Sequence, residues 1–375
     1  MSYRALLFFV LCASTVNLSA AAPEPRLPPG FVRMAVAEHL TGATTMAIAP
    51  DGRVFVCEQT GTLRVVKDDR LLEAPFVTVT VDKSWERGLI GVAFPPDFGA
   101  SQWVYVNYVV PSPYPHHRIS RFKAAGDLAV PGSEQVLFEG DDQTKMPGKI
   151  KNGHQGGAIH FGPDRKLYIG LGEQTAEKPA QDLHSLLGKI LRLNPDGSIP
   201  TDNPFFAQTT GKYRAIWCLG CRNPFCFTFQ PESGRMLIND VGGAKEEINE
   251  GNAGANFGWP VVEHGQTSDD PKFTKCIFSY PVASITGGAF CPKDNTRFPP
   301  QYRGQYFFAD YMRGFIQVLD PDHPERGASD FATNQGKITD IAYAPDGSLY
   351  VLDRNAWVID KAWKPNTGTL YKISR

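Results

Sequence analysis

Three side chains of the 375-residue sequence form a set that could move a proton on a bound ligand: Glu86, His154 and Arg222. Each lies nine or ten residues before a proline, at positions 96, 163 and 231. A histidine works as a general base near neutral pH, and a cation beside it stabilises the negative charge that proton removal creates. Polar residues at related positions are Gln155, Asn223, Lys337 and Thr339.

The prolines belong to a pattern that recurs along the chain. Each copy is an alternating apolar segment, a Pro-Asp or Pro-Glu turn and a second alternating segment, which is typical of a β-hairpin. The copies cover residues 46–56, 92–106, 159–169, 227–238 and 341–351, with a weaker one at 287–310. Six hairpins, spaced by about 60 residues, predict an all-β, six-bladed β-propeller with four strands per blade. We expect residues 32–36 to close the ring by pairing with residues 369–373.

This architecture predicts where the polar set lies. The innermost strand of each blade lines a central channel, and the loop that enters that strand opens on one face. Taken singly, each residue has a structural interpretation, because a lone histidine in a turn is usually structural. The shared position across blades favours a functional site for His154 and Arg222. Glycines follow several of these residues, and we expect them to admit a flat ligand close to the backbone.

A second polar cluster lies in the glycine-rich segment 240–249. Glu246 and Glu247, together with free carbonyl groups of this loop, could bind Ca²⁺, a hard cation that prefers oxygen ligands. A solvated acidic turn is the alternative interpretation.

The totals exclude some classes of partner. The chain has 38 Lys and Arg against 39 Asp and Glu, a net charge of −1, which argues against nucleic-acid binding. Arg4, the apolar run 5–13 and the small residues 19–22 are typical of a signal peptide over residues 1–22. We therefore expect a periplasmic or secreted protein without a membrane span, and one propeller domain over residues 28–375.

The cysteine count bears on whether the chain contains disulfides. Removal of the leader leaves six: Cys57, Cys218, Cys221, Cys226, Cys276 and Cys291. An even count in an oxidising compartment predicts structural disulfides, although six cysteines leave the pairing open. Free buried thiols are the second interpretation and a metal site is the third.

Several motifs resemble one known family. They are Glu86–Phe98, Gly153–Gly157, Leu187–Pro200 with Asp202–Pro204, Arg222–Pro224, Glu246–Asn249 and Asn256–Pro260. In this order they resemble the glucose/sorbosone dehydrogenases, which include PQQ-dependent aldose dehydrogenases and the propeller of hedgehog-interacting-like proteins. The resemblance covers roughly residues 30 to 375 and implies a six-bladed propeller.

The resemblance also implies roles for individual residues. His154 would be the base that takes the proton of the sugar's anomeric hydroxyl, while hydride passes to PQQ. Arg222 would stabilise charge on the quinone oxygen. Gly242 and Gly243 would give carbonyl ligands to the Ca²⁺ beside PQQ, and Glu247 would bind a second, structural Ca²⁺. Residues that would contact or adjoin the cofactor are Glu86, Gln155, Asn223, Lys337 and Thr339.

The chain departs from the family pattern at several of these positions. Relatives often have Gln where Glu86 stands, and Gly153 replaces the polar residue that commonly precedes the base. We therefore expect His154 to lack the orienting partner that this preceding residue would supply. A non-catalytic binding propeller and a Ca²⁺-dependent sugar lactonase stay as alternatives to an aldose dehydrogenase, which would pass its electrons to a separate acceptor.

Overall fold

The computed structural model describes residues 24–148, 152–281, 283–355 and 365–375. Its strands form six antiparallel sheets. The first strand of each sheet contacts the first strand of the next, and the sixth contacts the first, so the sheets close into a ring. The all-β, six-bladed propeller predicted from the hairpin pattern is confirmed. The predicted signal peptide, residues 1–22, lies outside the described residues.

The strands follow one another from the channel outwards within each blade, and the sixth blade takes its outermost strand from the start of the chain. That strand is β1 (Val32–Leu40). Blade 1 contains β2 (Ala43–Ile48), β3 (Val54–Glu58), β4 (Thr62–Lys67), β5 (Arg70–Leu71) and β6 (Val77–Thr78). Blade 2 contains β7 (Leu89–Ala93), β8 (Trp103–Val110), β9 (His116–Ala125), β10 (Leu128–Ala129) and β11 (Gln135–Glu139). Blade 3 contains β12 (Gly156–Phe161), β13 (Leu167–Leu171), β14 (Lys189–Leu193) and β15 (Ile216–Leu219).

The second half of the ring has the same plan. Blade 4 contains β16 (Pro224–Phe229), β17 (Met236–Asp240), β18 (Lys245–Glu250) and β19 (Phe278–Pro281). Blade 5 contains β20 (Ile285–Phe290), β21 (Tyr306–Asp310), β22 (Phe315–Leu319) and β23 (Ser329–Ala332). Blade 6 contains β24 (Ile338–Tyr343), β25 (Leu349–Asp353), β26 (Gly368–Ser374) and β1. One α-helical turn, α1 (Phe98–Ser101), and 3-10 segments at Gln143–Lys145, Lys178–Gln181, Phe206–Gln208, Gly211–Ala215, Pro300–Tyr302 and Pro324–Arg326 lie in the loops.

The chain ends close the ring as predicted. In β1, Val32 pairs with Ser374 and Ala35 pairs with Tyr371 of β26. Backbone hydrogen bonds therefore join the first and last strands, which removes a free sheet edge.

The hydrophobic core is divided among the contacts between neighbouring blades. Between blades 1 and 2, for example, Phe55 and Leu63 pack with Leu89, Val104 and Phe98, all of them buried. The inner strands approach so closely that they need glycine. A Cβ atom at Gly91 would lie 2.4 Å from the carbonyl oxygen of Gly157 in the next blade, and one at Gly287 would lie 2.4 Å from Ile341 N. These glycines serve contact between blades rather than access for a flat ligand.

The structure differs from the disulfide prediction. All six cysteines of the described residues are free thiols, and all but Cys276 are buried. This arrangement matches the second interpretation, buried thiols packed as small apolar side chains. Within the described ranges, no helix has the length and apolarity needed to cross a membrane.

Candidate active site

A cavity of about 950 Å³ opens at one mouth of the channel. Of the predicted site residues, Glu86, His154, Arg222, Asn223 and Gly242 all line it. They come from the loops that enter the inner strands of blades 2, 3 and 4 and from the β17–β18 turn. The structure therefore brings the side chains of these loops together at one cavity.

His154 is held by a carboxylate that the sequence analysis did not identify. Its Nδ1 lies 2.5 Å from Oε1 of Glu173, a side chain with no exposed surface. Glu173 therefore takes the place of the orienting side chain that Gly153 does not supply. Glu173 is itself fixed, because its Oε2 accepts a hydrogen bond from Glu177 N. A carboxylate on Nδ1 holds the proton there and leaves Nε2 as the basic nitrogen.

Arg222 and Asn223 are fixed through their backbone. Asp240, which is fully buried, accepts hydrogen bonds from Arg222 N at 3.0 Å and from Asn223 N at 2.7 Å. The Arg222 guanidinium donates to the Val241 carbonyl and lies 5.5 Å from the ring centre of Trp259. Asn223 Oδ1 accepts from Gly156 N, which ties blade 4 to the turn that carries His154.

Glu86 and Gln155 are joined, but they face different surroundings. Glu86 lines the mouth cavity, and its Oε2 accepts a hydrogen bond from Gln155 N. The Gln155 side chain is 1% exposed and bonds the Gly153 carbonyl and the Gln143 amide. It lies in the protein interior and not along the cavity wall. Arg87, which follows Glu86 in the chain, pairs with Asp82 at 2.7 Å.

Blade 6 places Lys337 at the mouth cavity and Thr339 deeper in the channel. Lys337 Nζ donates to the Met312 carbonyl and lies 5.4 Å from the ring centre of Tyr311, and both of these residues line the mouth cavity. Thr339 lies in the narrow channel below, together with Thr44, Thr45 and Asp340. Lys337 therefore contacts two residues of the mouth, whereas Thr339 is buried.

The β17–β18 turn brings Gly242 to the cavity wall and leaves Gly243 exposed. A Cβ atom at Gly243 would lie 3.3 Å from Glu263 Oε1 and 4.0 Å from Arg222 Nε. In the described parts of the chain neither glycine carbonyl accepts a hydrogen bond. Glu247 lies behind this turn and is 6% exposed, and burial raises the pKa of its carboxyl.

Other functional residues were missed. Trp85, Tyr311 and Met312 line the mouth, and their positions carry little signal because they follow no repeated pattern. Glu173 had a usable signal, since it is a charged residue two positions after the buried strand β13. Asp240 gives a similar signal, because it is a charged residue at the end of the buried strand β17.

A family model for glucose/sorbosone dehydrogenases matches residues 40–357. The chain belongs to this family. It is 28% identical over 327 residues to the aldose sugar dehydrogenase YliI of Escherichia coli, with 82% of this chain and 85% of the relative covered. It is 30% identical over 289 residues to quinoprotein glucose dehydrogenase B of Acinetobacter calcoaceticus, with 66% of this chain and 58% of the relative covered. The chain also superposes on the crystal structure of an oxidoreductase of Thermus thermophilus that is described as a glucose dehydrogenase. The TM-score is 0.78 at 27% identity, over 92% of this chain and 100% of that one.

Proposed function

We propose that this protein is a PQQ- and Ca²⁺-dependent dehydrogenase that oxidises an aldose at its anomeric carbon to the lactone, with His154 as general base. The observation that carries the proposal is the contact between His154 Nδ1 and the buried carboxylate of Glu173 at the cavity mouth. Family membership supports it, because the relatives are named as sugar dehydrogenases.

The residues at the mouth fit the cofactor. A cavity of about 950 Å³ is in the range of cofactor sites. Arg222 and Lys337 supply positive charge for an anionic quinone, and Asn223 Nδ2 makes no hydrogen bond within the described residues. The Gly242 and Gly243 carbonyl oxygens are available in the same sense, and carbonyl oxygens are ligands that Ca²⁺ prefers.

The chain's own residues then have distinct tasks. PQQ, when bound, supplies the two-electron acceptor that takes hydride from the anomeric carbon. His154 Nε2 removes the hydroxyl proton, and the Glu173 carboxylate stabilises the imidazolium that results. Arg222 would provide a fixed cation that stabilises negative charge on a quinone oxygen of the bound cofactor. Glu86 accepts hydrogen bonds from sugar hydroxyl groups.

The proposal includes the location of the protein and its electron acceptor. The protein is secreted or periplasmic after loss of residues 1–22, and it delivers electrons to a separate acceptor. Glu86 brings one negative charge to the mouth, whereas Arg222 lines the same cavity and Lys337 bonds the carbonyl of Met312 at its wall, so two cations at the mouth favour an anionic cofactor despite the carboxylate.

The test is a titration of the mature protein with PQQ in the presence of Ca²⁺, followed by the quinone absorbance. Addition of an aldose should then bleach the quinone band. In His154→Ala, we expect PQQ binding to persist and the bleaching to be lost, whereas His184→Ala, at an exposed histidine, should behave as the unaltered protein.

The same titration distinguishes the alternatives. Absence of PQQ binding in excess Ca²⁺ would favour a binding propeller, and hydrolysis of lactones without PQQ would favour a lactonase. The structure gives the lactonase little support, because the described residues contain a single group of three potential side-chain metal ligands and Glu86 is not among them.

A further inference from the structure

The buried cluster behind the mouth contains Asp240, Glu247 and His264, whose ligand atoms all lie within 4.8 Å of one another. The side chains of Asp240, Glu247 and His264 are 0%, 7% and 2% exposed, respectively. Asp240 and Glu247 form a directly opposed cross-strand pair of β17 and β18. Two like charges in that arrangement destabilise a sheet, and their burial increases the cost. A cation between them would remove this cost.

We propose that Asp240, Glu247 and His264 form a binding site for a borderline divalent transition metal ion such as Zn²⁺, and not a calcium site. This proposal does not depend on the dehydrogenase activity, because it concerns a cluster that does not line the mouth cavity. It also differs from the structural Ca²⁺ that was expected at Glu247.

The distances favour a metal ion over a simple ion pair. His264 Nε2 lies 3.3 Å from Asp240 Oδ2 and 3.8 Å from Glu247 Oε2. A hydrogen bond from an imidazolium to a carboxylate is normally shorter, about 2.7–2.9 Å. Ligand atoms about 2.0–2.2 Å from a tetrahedral Zn²⁺ lie about 3.3–3.6 Å from each other. The His264–Asp240 separation falls within this range and the His264–Glu247 separation slightly exceeds it, so both are closer to the spacing of metal ligands than to that of a direct ion pair.

The surroundings hold the ligands in place. Asp240 accepts from Arg222 N and Asn223 N, and Glu247 accepts from Gly265 N at 2.7 Å. His264 packs against Trp259 with ring centres 5.3 Å apart. Its buried Nδ1 has no hydrogen-bond partner among the described residues, and the nearest carboxylate oxygen, Glu263 Oε1, is 4.0 Å away. A small shift would give the carboxylate–histidine–metal arrangement that metal sites commonly have.

The donor set decides the metal. Ca²⁺ takes six to eight oxygen ligands, whereas this cluster offers one imidazole nitrogen and two carboxylates. A nitrogen with two oxygens suits Zn²⁺ in a four-coordinate site whose last position is filled by water. Such an ion would join β17, β18 and the loop that holds His264, and would stabilise the carboxylate that positions Arg222 and Asn223.

The test uses the mature protein stripped with a chelator and titrated with Zn²⁺ alone by calorimetry, with metal analysis after desalting. We expect one Zn²⁺ per chain to be retained in a large excess of Ca²⁺. His264→Asn and Glu247→Gln should each weaken Zn²⁺ binding by about 100-fold or more, since loss of a supporting residue alone costs 10–100-fold. His184→Asn is the matched control, since His184 also lies beside a carboxylate, 3.5 Å from Asp182, but is exposed.

A second measurement needs no substitution. Co²⁺ bound to the unaltered protein should give the visible absorption of a four-coordinate nitrogen–oxygen site without a thiolate charge-transfer band. A thiolate band would assign the metal to cysteines such as the Cys218–Cys221 pair and overturn the proposal. Failure to retain Zn²⁺, displacement of Zn²⁺ by Ca²⁺, or unchanged binding in His264→Asn would also overturn it.

Discussion

The blade-3 and blade-4 sides of the mouth each position one ionisable group, but by different means. On the blade-3 side, the Glu173 carboxylate bonds the imidazole of His154 directly. On the blade-4 side, the Asp240 carboxylate bonds the backbone of Arg222 and Asn223 and makes no bond to the guanidinium. The two sides meet where Glu173 N donates to the Arg222 carbonyl.

The difference agrees with the roles proposed for the two groups. A base must present one tautomer and must gain a positive charge, so its partner has to be an anion on the ring itself. A guanidinium is always charged, and a carboxylate on it would cancel the charge that a ligand needs. Fixing the Arg222 backbone therefore positions the cation without neutralising it.

The largest effect should come from breaking the blade-3 contact. Glu173→Gln keeps the shape but removes the charge that fixes the tautomer and stabilises the imidazolium. We expect kcat to fall by about 10³-fold with little change in PQQ affinity. The check is dye-coupled kinetics at saturating PQQ, with PQQ binding measured separately.

Glu177→Gln is the control for that variant, because Glu177 lies in the same loop and its side chain is exposed. A loss in Glu177→Gln as large as in Glu173→Gln would mean that the loop, and not the carboxylate on His154, determines the rate.

The blade-4 side should be less sensitive. Arg222→Ala removes one preorganised charge, and we expect kcat to fall by about 10²-fold together with weaker PQQ binding. Arg222→Lys should recover part of this loss, because the backbone bonds to Asp240 stay and a cation remains. If Arg222→Lys were as inactive as Arg222→Ala, the planar donor geometry would matter more than the charge. The measurement is the pair of kcat and PQQ affinity values for both variants.

The fold was predictable because its determinants are local. A Pro-Asp turn between alternating segments specifies a hairpin, and the turn at Asp51–Gly52 shows why, since Gly52 has a φ of +89° and Gly52 N bonds the Ala49 carbonyl. The blade-5 hairpin lacks that turn, and β20 and β21 are instead joined through a loop that contains a 3-10 segment. Its prediction rested on the spacing of the other copies.

The site was predictable only in part because side-chain direction depends on tertiary register. Glu173 meets His154 through the β12–β13 pairing, in which Gly156 faces Leu171, and nothing local links two residues so far apart. Gln155 is the reverse case, since the sequence predicts a cofactor contact and the structure places its side chain in the interior. It follows His154 directly, but His154 has a φ of +48° and Gly156 a φ of +63°, so the backbone turns and the Gln155 amide points inwards.

Gln155 allows a test of whether a residue behind the cavity wall affects stability and not cofactor binding. Gln155→Ala leaves the buried Gln143 amide without its partner, and we expect a loss of about 1–3 kcal/mol in the free energy of unfolding. PQQ affinity should change little. Urea unfolding and PQQ titration of the same variant check both parts, and a loss of PQQ binding without a loss of stability would make Gln155 a cofactor contact.

The last prediction concerns a pH dependence that arises at His117 in β9 of blade 2. Burial, with the charges of Arg87 and His116, lowers the pKa of His117 from its ordinary 6.5 to about 3. Between these values the unfolded chain binds a proton that the folded chain does not, so the free energy of unfolding falls as the pH is lowered. One such group contributes a slope of about 1.4 kcal/mol per pH unit.

The His117 contribution can be isolated by substitution. His117→Asn should make the dependence of unfolding free energy on pH shallower by that slope, whatever it does to stability at neutral pH. His184→Asn, at an exposed histidine, should leave the slope unchanged. Urea unfolding at several pH values between 6.5 and 3 gives the slopes. Equal slopes for His117→Asn and the unaltered protein would mean that His117 takes up its proton in the folded state.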